Sequence, residues 1–295
     1  MKYSVSSYSF SQRIKKGEIT QKDTVRLAAE MGFEGIEFTD LRPDNRKEVT
    51  LAEQLAFARE LKAEAEKYGI AIVAYAIGAN LYKGDEALDR AEVERLKGQV
   101  DVAAEMGCPV LRHDVCSSLS VNGRVVSFDR MLPVIASNAR EVTAYAQSRG
   151  VRTCSENHGF IAQDSERVER LYNAVGHDNY GLLVDVGNFS CVDEDSPAAV
   201  SRVAPYAIHA HVKDMLRLPY GTELDPERSY ITTRGANHLL CCTLGEGSIP
   251  VRHCLAILKR AGYDGWISLE YEGWKDCMTE IPLSLSRMKE YVEVS

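Results

Sequence analysis

The chain has 295 residues, 45% hydrophobic and 26% charged, with a net charge of −8. That length suits one large α/β barrel or two small domains, and the acidic balance argues against nucleic acid as a partner, because phosphate contacts need a basic surface. No run of about 18 apolar residues is present, and Met1–Ser6 carries no apolar signal core, so a cytoplasmic protein without a membrane partner is expected.

Short strand patterns alternate with longer helical ones. Tyr3–Phe10 reads as the first strand, and Thr20 to Asp23 as a capping box opening a helix that stops at Gly32. Gly35–Phe38 is the second strand. Thr50 and Glu53 open the next helix, which Gly69 ends. Ile70–Ile77 is apolar nearly throughout, as a strand buried on both faces of a parallel sheet must be. Ala87–Met106 is a helix ended by Gly107, and Pro109–His113 the fourth strand. Helix Phe128–Ser148, strand Val151–Glu156, helix Ser165–Val175 and strand Tyr180–Val186 follow. Pro197 marks the first turn of a helix running to Val203. Strand seven is Ile208–Asp214, and helix Pro250–Ala261 follows it. Strand eight is Trp266–Glu270, and the last helix covers Ile281–Val292.

Eight strand–helix units in one chain predict a single-domain (β/α)8 TIM barrel over residues 1–295. An open doubly wound sheet is the alternative, but no G-x-G-x-x-G follows the first strand. The stretch 216–249 reads as a long irregular loop between strand seven and its helix. It is expected over the active site, since barrels keep their chemistry at the strand C-termini. The eight cysteines contain no C-x-x-C pair and read as buried, reduced thiols.

Strand seven holds the sharpest pattern. Ile208, Ala210 and Val212 alternate with His209, His211 and Lys213, and Asp214 closes the run. The polar face is either a metal or substrate site or a solvated strand edge with chance histidines. Three other strands that end the same way favour the site. Strand five ends in Glu156-Asn157-His158, strand six in Asp185 to Asn188, and strand eight in Glu270-Tyr271-Glu272. In a closed barrel these ends converge, and a carboxylate-rich set with one imidazole suits Mn²⁺, Mg²⁺ or Co²⁺ better than a closed structural zinc site.

These segments resemble the xylose isomerase-like TIM barrels, a family of sugar phosphate isomerases and epimerases. Met31 to Glu37 is similar to its GFxGIE strand, Leu183 to Asn188 to LxDxGN, and His209 to Asp214 to HxHxKD. Leu244 to Ile249 followed by Gly262 to Glu270 resembles GxGxI and GYxGxxxLE. The resemblance covers essentially the whole chain. It implies one divalent metal, Mn²⁺ first, with Mg²⁺, Co²⁺, Fe²⁺ or Zn²⁺ as alternatives, held by Glu156, Asp185, His211 and Glu270. It also implies Glu156 and Glu270 as the acid/base pair that moves a proton beside a metal-polarised carbonyl through an enediolate, as an isomerase or epimerase of a small sugar or keto-sugar.

One departure stands out: Asn188 occupies a position where many ketose 3-epimerases carry His. Asn cannot shuttle a proton, and His158 is the candidate for that task, against a helix-entry hydrogen bond. Glu37, Arg112, His113, Asn188, His209, Lys213 and Arg234 are candidate substrate contacts. For Glu37 a supporting role or a structural ion pair competes with that role, for Arg112 a buried pair with an aspartate, and for Lys213 a pairing with Asp214. The Gly245-Glu246-Gly247 turn reads as backbone geometry. A lyase acting on a keto-sugar or keto-cyclitol is the alternative activity. A three-zinc endonuclease lacks its extra histidines here, and a non-catalytic scaffold conflicts with the intact ligand set. The expected partner is a small carbohydrate, and homo-oligomers are common among such barrels.

Overall fold

The computed structural model describes residues 1–294. Eight parallel strands form a closed barrel: β1 (Lys2–Ser6), β2 (Gly35–Thr39), β3 (Ala71–Ile77), β4 (Val110–His113), β5 (Arg152–Glu156), β6 (Tyr180–Asp185), β7 (Ala207–Val212) and β8 (Trp266–Leu269). Neighbours round the barrel are neighbours in sequence, and the ring closes where Lys2 lies opposite Trp266 and Val5 opposite Leu269. The outer layer is α1 (Asp23–Glu30), α2 (Leu51–Tyr68), α3 (Glu86–Met106), α4 (Phe128–Ser148), α5 (Ser165–Val175), α6 (Ser196–Val203), α7 (Val251–Arg260) and α8 (Cys277–Glu293). This is the expected single-domain TIM barrel. No helix among the described residues is long and apolar enough to cross a membrane.

Local chemistry sets the helix ends. Thr50 and Glu53 form a reciprocal capping box at α2, and Gly69 and Gly107 end α2 and α3 in left-handed backbone at φ 66° and 72°. Three expectations need correction. The first strand stops at Ser6, because the Ser6 hydroxyl accepts from the Tyr8 N–H and caps a 3-10 turn over Ser7–Phe10. The last helix starts at Cys277, four residues before the expected Ile281. Asp276 caps it, and Pro282 lies inside it rather than at its start. The stretch 216–249 is irregular only in part. Asp214–Leu218, His238–Cys242 and Ile231–Thr232 pair as a small antiparallel sheet.

The barrel has an apolar floor and a polar mouth. Val73, Ala74, Val110, Cys154 and Leu183 fill the lower interior with Ile208 and Trp266. Gly35 makes room there: a Cβ would stand 2.5 Å from Val73 Cγ1 and 2.8 Å from Trp266 Cζ3. The second apolar layer, between strands and helices, carries most of the buried core. A closely packed floor fixes the register of every strand, and therefore the height at which each strand end presents its last side chain.

Candidate metal centre

Strand alternation carries polar groups into the mouth. On β4 Val110 lies in the floor, so Arg112 points inward; on β5 Cys154 does the same for Glu156, and on β6 Leu183 for Asp185. His211 comes from β7, and Glu270 follows β8, where its N–H donates to the Val212 carbonyl at 3.0 Å. Ligand atoms of Glu156, Asp185, His211 and Glu270 all lie within 4.8 Å of one another.

His211 is aimed by the residue beneath it. Its Nε2 lies 2.8 and 3.0 Å from the two oxygens of Glu37, and His209 Nε2 approaches the same carboxylate at 2.8 Å. A carboxylate only accepts, so Nε2 of His211 carries the proton and Nδ1 is left with its lone pair. Nδ1 faces Glu270 at 3.6 Å, Glu156 at 3.7 Å and Asp185 at 3.8 Å, too far for hydrogen bonds. Burial alone would raise the Glu37 carboxyl, but the imidazoles outweigh it and hold it at about 2.

Asp185 is oriented in the same manner. Its Oδ1 accepts the Gly187 and Asn188 N–H groups at 2.7 and 2.9 Å, while Asn157 exchanges two 2.9 Å hydrogen bonds with its backbone. Asp185 Oδ2 meets only the Lys213 ammonium, at 3.1 Å, and the buried His211 Nδ1 has no hydrogen-bond partner. An unpartnered imidazole nitrogen facing three carboxylates fits a divalent cation with oxygen-rich, single-imidazole ligation.

The rest of the cage balances charge. The Lys213 ammonium lies 3.1 Å from Asp185 Oδ2 and 2.7 Å from Glu272, and pairs tightly with Glu270. Burial opposes an ionised Glu270, yet Lys213 and His211 outweigh it and hold its carboxyl well below the usual range. Asp185 goes the other way: burial dominates, and its carboxyl is raised to about 6. Burial likewise opposes a charged His211, but Glu37 and Glu270 outweigh it and raise its pKa. Glu156 is gripped on both oxygens, by Asn188 Nδ2 at 2.8 Å and Arg112 Nη2 at 2.7 Å. The same Arg112 nitrogen meets Asp114 at 2.8 Å, and His158 Nδ1 meets that aspartate at 2.9 Å. The mouth opens into a cavity of about 960 Å³ lined by Arg112, Glu156, His158, His211, Lys213 and Glu270.

The structure thus gathers the four candidate ligands, with Arg112, Lys213 and His158 beside them. Five candidate substrate contacts are placed differently. Glu37 and His209 lie below the cage with their polar atoms committed to each other, to His211 and to Ser268. Asn188 holds Glu156 rather than facing the open cavity. His113 alternates outward from Arg112 and packs near Tyr180, its ring centre 6.5 Å away. Arg234 spends its guanidinium on Asp164 at 3.0 Å and the Phe160 carbonyl at 2.6 Å. Lys213 does not pair with Asp214. Asp214 turns away and accepts the N–H groups of Met215, Gly245, Gly247 and Ile249, fixing the turn before α7. The sequence reading assigned no role to Asn157, whose hydrogen bonds cross to a neighbouring strand and leave no local signal.

Comparison with known proteins agrees with this fold. Residues 25–290 match the family described as xylose isomerase-like TIM barrel. An inosose dehydratase of Lacticaseibacillus casei is 26% identical over 128 residues, covering 43% of this chain and 42% of that protein. The matched region is thus under half of that relative's length. Among solved structures, the IOLI protein with a binding zinc atom superposes with a TM-score of 0.75 at 16% identity, covering 99% of this chain and 98% of that one. D-psicose 3-epimerase in the presence of D-fructose gives a TM-score of 0.73 at 14% identity, covering 99% of each chain. At these identities the structural likeness speaks for the fold alone.

Proposed function

Because this chain belongs to the xylose isomerase-like TIM barrel family, we propose that it is a divalent-metal-dependent isomerase or epimerase of a small sugar or keto-sugar. The observation that carries the reading is the pairing of Glu156 and Glu270, set on strands three places apart round the barrel, with His211 Nδ1 and Asp185 Oδ2 between them. Glu156, Asp185, His211 and Glu270 would hold the metal, manganese first, with magnesium, cobalt, iron or zinc as alternatives. When bound, the cation would supply Lewis acidity to the carbonyl and hydroxyl of the substrate.

The side chains supply the rest. Glu270, kept ionised by Lys213, takes the proton from the carbon beside the carbonyl. Glu156, fixed by Arg112 and Asn188, handles the proton on the opposite side. Arg112 and Lys213 reach the cavity and orient substrate oxygens. The partner is a small carbohydrate; a homo-oligomer is compatible with this fold.

A second reading is a lyase on the same scaffold. The His158–Asp114 pair on the rim, one residue chain from Arg112 and Glu156, favours it, because it offers an acid to a leaving hydroxyl. Elemental analysis of wild type and His211→Ala, followed by solvent deuterium uptake into a keto-sugar panel, tests the proposal. About one metal per chain, lost in the variant, with deuterium entering beside the carbonyl, supports isomerisation. Loss of water from the substrate without recovered isomer moves the assignment to the lyase. No metal after reloading removes the mechanism.

A further inference from the structure

We propose that the substrate is a glycoside or similar two-ring sugar derivative, with its reacting ring over Glu156 and Glu270 and its second ring in a groove between the loops that follow β1 and β2. This rests on the keto-sugar reading above and extends it. The cavity holds about 960 Å³, near the top of the range of about 300–1,000 Å³ over which drug-sized ligands are enclosed, and well beyond the needs of one pyranose ring. Beside the cage residues His211 and Glu270, the lining takes in Tyr8, Ile14 and Lys15 from the chain after β1 and Asn45 and Lys47 from the chain after β2.

The groove is built, not loose. Gln21 ties its far wall together by donating to the Thr39 carbonyl at 2.5 Å and accepting from the Arg42 N–H at 2.9 Å. Asn45 Nδ2 joins the two loops by donating to the Ile19 carbonyl at 3.0 Å. Asn45 itself is among the residues that line the cavity. Asp40, Asp44 and Asn45 hold left-handed backbone at φ 32°, 53° and 58°, a cost that folded chains concentrate at functional loops.

The chemistry of the groove fits an uncharged polyol better than a phosphate. Lys15, Arg42 and Lys47 share the lining with Asp40 and Asp44, so neither sign dominates, and Arg42 already lies 3.5 Å from Asp40. Tyr8 is 39% exposed at the junction between cage and groove, where its ring is a platform with an apolar face and a polar tip.

The test is calorimetric titration of the manganese-loaded protein with methyl glycosides, matching disaccharides and phenyl glycosides, and monosaccharide phosphates. Lys15→Trp and Lys47→Trp, both at exposed positions, fill the groove. The expected result is an affinity at least about tenfold higher for a two-ring probe than for its methyl glycoside, with that ratio falling toward one in the tryptophan variants. A ratio near one in the wild type, a ratio that survives both substitutions, or tighter binding of a monosaccharide phosphate overturns the inference. Deuterium exchange on the corresponding keto-sugars is read separately. Exchange without a two-ring preference defeats the groove alone, whereas a two-ring preference without exchange supports the groove and defeats the proton-transfer reading.

Discussion

Glu37 and His211 form a fixed couple, with the carboxylate on β2 and the imidazole on β7 in contact at 2.8 Å across the barrel interior. The couple decides which ring nitrogen faces the cage. Replacing Glu37 with Gln should weaken manganese or cobalt affinity by about 10–100-fold while the chain stays folded. Equilibrium dialysis measures the affinity, and ¹⁵N spectra of the imidazoles report the protonated nitrogen. Unchanged affinity with an unchanged tautomer would show that the couple is only a packing contact.

Asn188 is predicted to act on Glu156 and not on the metal. Asn188→Ala should lower catalytic turnover several-fold and leave about one metal per chain. Metal analysis beside deuterium-exchange kinetics separates the two effects. Complete metal loss in this variant would mean that the ligand set is drawn wrongly.

The floor makes a stability prediction. Gly35→Ala drives a methyl group into Val73 and Trp266 and should cost about 1–3 kcal/mol in urea denaturation. Trp266→Phe should relieve part of that cost, giving a coupling of about 0.5 kcal/mol or more in a double-mutant cycle. Strict additivity would place the strain elsewhere.

Asp214 answers four backbone N–H groups with two oxygens, so Asp214→Ala should cost about 2–3 kcal/mol or more. The turn 245–249 would loosen while the cage ligands stay in place. Hydrogen exchange at Gly245 and Gly247 checks this, and unchanged protection there would refute it.

Glu92 on α3 supplies the pH dependence. Burial would raise its carboxyl, but Arg95, the Asn80 N–H and Lys83 outweigh it and lower it from 4.5 to about 2. A depressed folded value means that its stabilisation is complete above the unfolded value of 4.5 and fades as pH falls toward 2. Glu92→Gln should therefore cost about 1–2 kcal/mol at pH 7, with the gap to wild type closing between those limits. A gap independent of pH would exclude the carboxylate as its source.

The barrel and the convergence of its candidate ligands were legible because both are local signals repeated many times. Eight strand patterns, each followed by a helical one, leave few topologies open, and four polar strand ends can meet only in a closed ring. What escaped were relations between strands. Alternation from Val110 puts Arg112 inside and His113 outside, but a single four-residue strand does not announce which face is which. Glu37 reads as one more mouth carboxylate until its height relative to His209 and His211 is known. Pro282 imitates a helix start, and the two-residue strand Ile231–Thr232 is too short to carry a period.

The closure of β8 against β1 has a consequence for synthesis. Glu270 follows the last strand, while Glu37 belongs to the second, so the cage together with the support beneath it spans more than two hundred residues of chain and completes only when the two edges meet. A ribosome must release the segment beyond β8 before the imidazole, its carboxylate support and the final ligand share one space. Metal uptake by a nascent chain would consequently be the last event of assembly, and the time at which cobalt absorbance appears would date the joining of the barrel's two ends.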